Sequence, residues 1–283
     1  MIPIGFSTYA TQRVDVFEAL PRIREIGYDA VEIAIGDAWP TAPGKLNRNA
    51  RRRLAGTLRD LGFPPPALFG PVSTCARGSE RQTMRAGFIQ NCILTEDLNF
   101  GGDPGVITTT VSGPLTDWEN DREPVAADLI ELANIAAGHH AILAVEPHVG
   151  AIFDTPEKAA WLMENTRHPN LKIHFDHSHF HVQGIDLRHA AGLCLPDTVH
   201  IHIKDGHMKD GAVTFLLPGE GSLDLIEYFK TLLEAGTEVP VGAEVSAMIW
   251  GRPGYDPWRA AKSCYRALSS ARQQAISESS TRD

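Results

Sequence analysis

The chain is poor in the features that mark several large classes of protein. It has four cysteines in 283 residues (Cys75, Cys92, Cys194 and Cys264) and no Cys-x-x-Cys pair. A disulfide framework is therefore not expected to organise the fold, and reduced thiols are the simpler reading. No stretch approaches the ~18 consecutive apolar residues of a membrane span. The start, Ile-Pro-Ile-Gly-Phe-Ser after Met1, has neither the basic segment nor the long apolar core of a secretory signal, so a cytoplasmic location is expected. Basic residues are in deficit: 26 Lys and Arg against 35 Asp and Glu give a formal net charge of −9. Without a basic block the chain lacks the electrostatic footprint of a nucleic-acid binder. No Gly-x-Gly-x-x-Gly follows the first apolar run, which argues against a dinucleotide-binding fold.

What is present is a regular alternation. Hydrophobic residues make up 43% of the chain and charged residues 22%, proportions that allow a sizeable core. Short apolar runs at 2–7, 30–35, 67–70, 106–111, 141–146, 171–176, 199–204 and 239–245 read as strands. Amphipathic stretches near 16–26, 47–61, 84–98, 124–137, 156–166, 187–193, 223–235 and 257–273 read as helices. Asp15 with Glu18 forms a capping box, Gly27 a helix stop, and Thr155-Pro156 an N-cap followed by proline at the first helical position. Residues 73–83 and 112–123 read as polar loops, either lids over a barrel mouth or plain surface loops. Eight strands, each followed by a helix, predict an α/β fold of the (β/α)8 TIM barrel type, a single domain over residues 1–273. The polar residues 274–283 are expected to be a disordered tail.

In such a barrel the chemistry sits at the C-terminal ends of the strands. Strand parity sorts the late strands into two faces. Val145, Phe175, Ile203 and Val245 face the outer helices. Glu146, Asp176, His202 and Glu244 face the mouth. Any one of them alone is more simply a salt-bridged or hydrogen-bonded residue. Four ligand types on consecutive strands, all on one face, instead predict one shared divalent cation, since bare buried charges are costly. Three carboxylates and one imidazole suit Mn²⁺, Mg²⁺ or Co²⁺, with Zn²⁺ also compatible. By the same parity Lys204 and Glu32 point inward. Lys204 reads either as a cation for a developing oxyanion or as a partner of an acid such as Asp205. Glu32 reads either as a substrate contact or as a structural hydrogen-bonding residue. Trp39, Trp250, Tyr255 and Trp258 are candidates for stacking on a sugar or for ordinary packing.

These phrases resemble the xylose-isomerase-like barrels of the sugar phosphate isomerase/epimerase superfamily. The carriers are Gly27-Tyr28-Asp29-Ala30-Val31-Glu32-Ile33, Glu146-Pro147-His148, Asp176-His177-Ser178-His179, His200-Ile201-His202-Ile203-Lys204-Asp205, Gly219-Glu220-Gly221-Ser222-Leu223-Asp224 and Glu244. The resemblance spans nearly the whole chain and implies Glu146, Asp176, His202 and Glu244 as metal ligands. It also implies His179 as a substrate-facing residue, whose alternative is a partner behind the ligands. The activity implied is a metal-dependent isomerase or epimerase acting on a small-molecule carbohydrate through an enediolate, with Glu146 and Glu244 as the proton-transferring pair. A homodimer or homotetramer is the usual assembly. One position departs from the ketose 3-epimerases: the arginine they carry six residues after the ligand histidine is Met208 here. Three alternatives remain open at this stage: a metal-dependent lyase or dehydratase of an inosose or keto-glycoside, a phosphodiesterase, and a non-catalytic subunit. The phosphodiesterase is disfavoured by early strands ending in Ser7, Ile35, Gly70 and Val111.

Overall fold

A computed structural model describes residues 1–279. The strands and helices alternate from the start: β1 (Ile4–Ser7), α1 (Val16–Ile26), β2 (Ala30–Ala34), α2 (Arg48–Asp60), β3 (Ala67–Phe69), α3 (Gly78–Leu98), β4 (Gly105–Thr110), α4 (Trp118–Gly138), β5 (Ala141–Glu146) and α5 (Pro156–Thr166). The second half continues with β6 (Leu171–Asp176), α6 (His177–His181), α7 (Leu187–Cys194), β7 (Thr198–Ile203), β8 (Asp205–Lys209), β9 (Ala212–Leu216), α8 (Leu225–Glu234), β10 (Val241–Ala243), α9 (Ala247–Trp250) and α10 (Pro257–Ser279). Eight parallel strands close in the order β1-β10-β7-β6-β5-β4-β3-β2, a (β/α)8 barrel. β8 and β9 form a separate antiparallel hairpin. No helix among the described residues is long and apolar enough to cross a membrane.

The apolar core lies outside the barrel wall. Ile4, Phe6, Ile33, Leu68, Ile107, Val145, Phe175 and Ile203 are all fully buried against helices that contribute Leu20, Ile23, Leu54, Phe88 and Leu132. Removing such surface from water contributes about 25 cal/mol per Å². Inside the wall the alternate positions are small or polar: Gly5, Ser7, Glu32, Thr108, Ala144, His174, His200, His202 and Gly242. The capping chemistry holds locally. Asp15 accepts from Phe17 N at 2.8 Å, and Gly27, at φ 118°, ends α1 in the left-handed region that glycine tolerates.

Three boundaries differ from the sequence expectation. α3 begins at Gly78, so the loop expected over 73–83 ends early. Its polar first turns are held by tertiary ion pairs: Arg77 Nη1 to Asp128 Oδ2 at 2.5 Å, Arg81 Nη1 to Asp128 Oδ1 at 2.6 Å, and Arg81 to Glu131. α4 begins at Trp118, not near Pro124. Asp117 caps it from Asn120 N at 3.0 Å, and Trp118 is buried against Phe153 and Trp161. The proline lies inside the helix. Both loops are therefore shorter than expected, spanning 70–77 and 111–117. α10 runs on to Ser279, because Ala271 and Ala275 continue its buried face and Lys230 pairs with Glu278. The tail expected to be disordered is thus helical as far as it is described, and residues 280–283 lie outside the described residues.

Candidate metal centre

The ends of β5, β6, β7 and β10 bring Glu146, Asp176, His202 and Glu244 together. Each offers one ligand atom, and the four atoms lie within 4.8 Å of one another. Register explains the convergence: Asp176 pairs with His202 across β6–β7, and His202 pairs with Gly242 across β7–β10. Glu244 follows β10 by one residue, and its N–H extends the ladder to Ile203 O at 3.1 Å. Gly242 clears space for the imidazole, since a Cβ there would stand 3.1 Å from His202 Cδ2.

Behind His202 sits Glu32, reached from β2 and buried. Its Oε2 accepts from Ser7 Oγ at 2.6 Å and its Oε1 from Thr108 Oγ1 at 3.0 Å. His202 Nε2 lies 3.0 Å from Oε2 and His200 Nε2 lies 3.1 Å from Oε1. These are ion-pair distances without hydrogen-bond alignment, because neither ring nitrogen has a directed acceptor. Burial alone would lower the His202 pKa, but the Glu32 carboxylate outweighs it and the pKa rises to about 9. Glu32 itself, despite burial, is held well below the usual carboxylate range by His202 and His200. The structure thus puts Glu32 behind the imidazole, facing a small opening of about 120 Å³ at the other end of the barrel, lined also by His200, Gly5 and Gly242. Of its two sequence readings, this position fits the structural one.

The three mouth carboxylates differ in environment. Asp176 is fully buried; its Oδ1 accepts from Ser178 N at 2.8 Å and its Oδ2 meets the Lys204 ammonium. Burial raises its pKa, yet the Lys204 charge holds it far below the usual range. Glu244 is the most exposed of the set and takes the other contact of Lys204 Nζ. Glu146 Oε1 is buried without a hydrogen-bond partner, with His179 Nε2 at 3.6 Å and His174 Nε2 at 3.8 Å. Burial first, then the charges of Glu244 and Asp176, push its pKa to about 8 against the pull of Lys204.

Lys204 therefore joins Asp176 and Glu244, not Asp205. Its ammonium also lies 5.0 Å from the Phe215 ring centroid. Asp205 instead gathers backbone N–H groups from Gly206 (2.8 Å), Gly219 (3.2 Å), Gly221 (2.9 Å) and Leu223 (3.2 Å). His179 is buried by the mouth between His148 and Phe215. Its Nδ1 accepts from Val149 N at 3.4 Å, which leaves Nε2 as the protonated nitrogen facing Glu146. Burial, then the Lys204 charge, keeps its pKa well below the ordinary histidine value, so the ring is a neutral donor.

Aromatic side chains adjoin this cluster: burial raises the Tyr9 pKa, and the ring is close enough that the charges of Glu244 and Glu146 add to the rise. Tyr9 stacks on Trp39 at 5.1 Å and meets Phe69 and Trp250 edge-on at 5.3 Å each. Trp39 and Trp250 were visible candidates in the sequence; Tyr9, Phe69 and Phe215 were not, because nothing local marks them as neighbours of the acids. Trp258 lies elsewhere, on the outer helices with the Arg22 guanidinium 4.7 Å over its ring.

The donor set fits a divalent cation. His202 Nδ1 and Glu146 Oε1 are buried with no hydrogen bond, while the Lys204 ammonium takes contacts of Asp176 and Glu244 that an ion would share. A closed eightfold barrel with an acid–histidine cluster at the C-terminal strand ends defines a class of barrel protein. Residues 20–268 match the xylose isomerase-like TIM barrel family, and the chain belongs to it. A curated relative, the L-ribulose 3-epimerase of Mesorhizobium japonicum, is 22% identical over 253 residues, covering 83% of this chain and 78% of that protein. Among solved structures, the 3-keto-D-glucoside 4-epimerase of E. coli superposes with a TM-score of 0.74 at 20% identity, covering 95% of this chain and all of the other. The probable 3-DHS dehydratase of Bacillus anthracis gives a TM-score of 0.77 at 16% identity, covering 95% and 99%.

Proposed function

We propose that the chain is a divalent-metal-dependent sugar epimerase or isomerase, with Glu146, Asp176, His202 and Glu244 as the ligands. The observation that carries this reading is the convergence of four donors, two of them glutamates on opposite sides of the cluster, at the catalytic end of the barrel. The curated relative, an epimerase of a ketose, supports the same chemistry.

When bound, a divalent cation polarises a substrate carbonyl and offsets the charge that develops as the neighbouring C–H proton leaves. The chain's own residues divide the remaining work. Glu146 and Glu244 are assigned the proton exchange with carbon; Glu146 Oε1 has no hydrogen-bond partner, and Glu244 has first to leave its contact with Lys204. Asp176 is tied down by Ser178 and Lys204, and His202 is braced by Glu32, so both hold position. His179 donates its Nε2 proton to a substrate oxygen, and Lys204 supplies a second positive charge next to it. Proton return to the opposite face inverts the centre; return to the adjacent carbon interconverts ketose and aldose.

The test is solvent exchange. With Mn²⁺ present and ketoses, inososes and keto-glycosides offered in D₂O, NMR should report deuterium entering one C–H position. Glu146→Gln and Glu244→Gln should each lower that exchange by roughly 10²–10⁴-fold, the range for losing a positioned general base. Release of water or an aglycone in place of exchange would move the protein to the lyase reading. The similarity to a probable dehydratase motivates that second assay. Unchanged exchange in both variants would remove the two glutamates from the mechanism.

A further inference from the structure

The C-terminal face of the barrel holds a second concavity that the acids do not use. It is an open cavity of about 770 Å³ between the segments that follow β2 and β3 and the exposed side of α3. That volume is in the range of a small-molecule site. Ile35 and Gly36 come from the end of β2, Pro71 and Val72 from the end of β3, and Met84, Gly87 and Asn91 from α3.

The cavity is joined to the acid cluster by one side chain. Trp39 lines it and also stacks on Tyr9, the ring that feels the charges of Glu244, Lys204 and Glu146. Two glycines let these walls close. A Cβ on Gly36 would come within 3.2 Å of the Trp39 ring, and one on Gly70 within 2.7 Å of Asn91 Nδ2. Asn91 is 7% exposed, so its amide is a nearly buried polar group set into the wall. The indole N–H of Trp39 has no acceptor.

The lining chemistry selects a class of ligand. An indole, a thioether and proline offer apolar faces. Asn91, Gln90, Thr83, Ser73 and Glu80 offer amide, hydroxyl and carboxylate groups. Among the described residues no Lys, Arg or His lines the cavity, while Asp37 and Glu80 do. The cations beside it are engaged elsewhere, Lys45 with the Asp37 and Trp39 carbonyls and Arg51 with the Pro43 carbonyl and Asp97, so the charged side chains of the lining itself are acidic and disfavour a phosphate or carboxylate. A neutral, polyhydroxylated ring meets both an aromatic plate and hydrogen-bonding partners.

We propose that this cavity is a second sugar subsite, which holds the non-reacting, unphosphorylated ring of a glycoside while the reacting ring lies at the acids. The inference rests on the carbohydrate reading above and narrows it from free monosaccharides to neutral glycosides.

Gly87 gives a clean probe. It lies on α3 facing the cavity, and a Cβ there would meet nothing within 4 Å. Gly87→Leu fills the opening and gains helix propensity, so the fold is kept. Calorimetric titration of the metal-loaded chain with cellobiose, maltose, glucose and glucose 1-phosphate reads the subsite directly. At least one disaccharide should bind about tenfold tighter than glucose. Gly87→Leu and Trp39→Ala should abolish that preference while Gly87→Leu leaves glucose binding unchanged. Equal affinities for disaccharides and glucose, or a preference indifferent to both substitutions, would overturn the subsite. Exchange on a free ketose, measured in parallel, separates the two readings. No exchange with Gly87-sensitive disaccharide binding leaves the subsite standing and removes the epimerase. Exchange with no Gly87 sensitivity does the reverse.

Discussion

Glu146 and His202 hold protons at neutral pH that the proposed metal would have to displace. The folded Glu146 carboxyl keeps its proton up to about pH 8, whereas the same group in an unfolded chain loses it near ~4.3. The folded state therefore binds more protons across that window, and stability falls as pH rises through it. His202 acts in the same direction. Its contribution is complete below the ordinary histidine pKa of ~6.5 and is lost as pH rises through about 9. Metal-free protein should accordingly melt at progressively lower temperature between pH 6.5 and 9.5, as followed by calorimetry; a flat profile would contradict the assignment. Metal affinity should rise with pH over the same interval. Proton release on binding, measured in buffers of different ionisation heat, should fall toward zero above it.

Glu32 is where the residue scale was least legible. Parity on β2 marks it as inward, but its partners Ser7, Thr108, His200 and His202 come from three other strands, with separations of up to 170 residues in sequence. Only barrel closure brings them together. Glu32→Gln keeps the volume and removes the charge that braces the imidazole. It should weaken metal binding by about 10–100-fold, measured by titration calorimetry, with little change in the far-ultraviolet dichroism.

At the scale of elements, legibility followed the apolar pattern. The eight barrel strands and the buried stretches of their helices were readable because burial on one face imposes a period of two or 3.6. The first turns of α3 were not, because Arg77 and Arg81 stabilise them through Asp128 and Glu131 on α4, and the start of α4 was not, because it rests on Trp118 packing against Phe153 and Trp161. Isolated sequence carries no such signal. The hairpin of β8 and β9 was missed for a similar reason. Its anchor is Asp205, whose carboxylate closes the turn region from Gly206 to Leu223. Gly221 is required beside it, since a Cβ there would fall 2.2 Å from Asp205 Oδ1. Asp205→Ala strands several buried N–H groups and should cost roughly 3 kcal/mol in urea denaturation, at about 1–3 kcal/mol for each group left unmade. A loss under ~1 kcal/mol would mean that water replaces the carboxylate.

For the molecule as a whole, the alternation of strands and helices made the closed barrel readable, and the four strand ends made its acid cluster readable. The aromatic contacts and the order of charges within the cluster were not, since they depend on loops that meet only above the closed wall. Binding of a cation to the folded state alone adds stability by mass action, about 2.7 kcal/mol at a hundred times the dissociation constant. Chelation should therefore lower the melting temperature by roughly 5–10 °C, and added Mn²⁺ or Co²⁺ should restore it. No shift in either direction would leave the cluster as a set of structural ion pairs.

Lys204 has a practical consequence. Its ammonium bridges Asp176 and Glu244, so protein without a cation still holds the two acids together with part of their charge offset. If the proposed cation is required, a substrate screen on such material would score the protein as inert. A negative screening result becomes informative only after the sample has been reconstituted and its cation content counted.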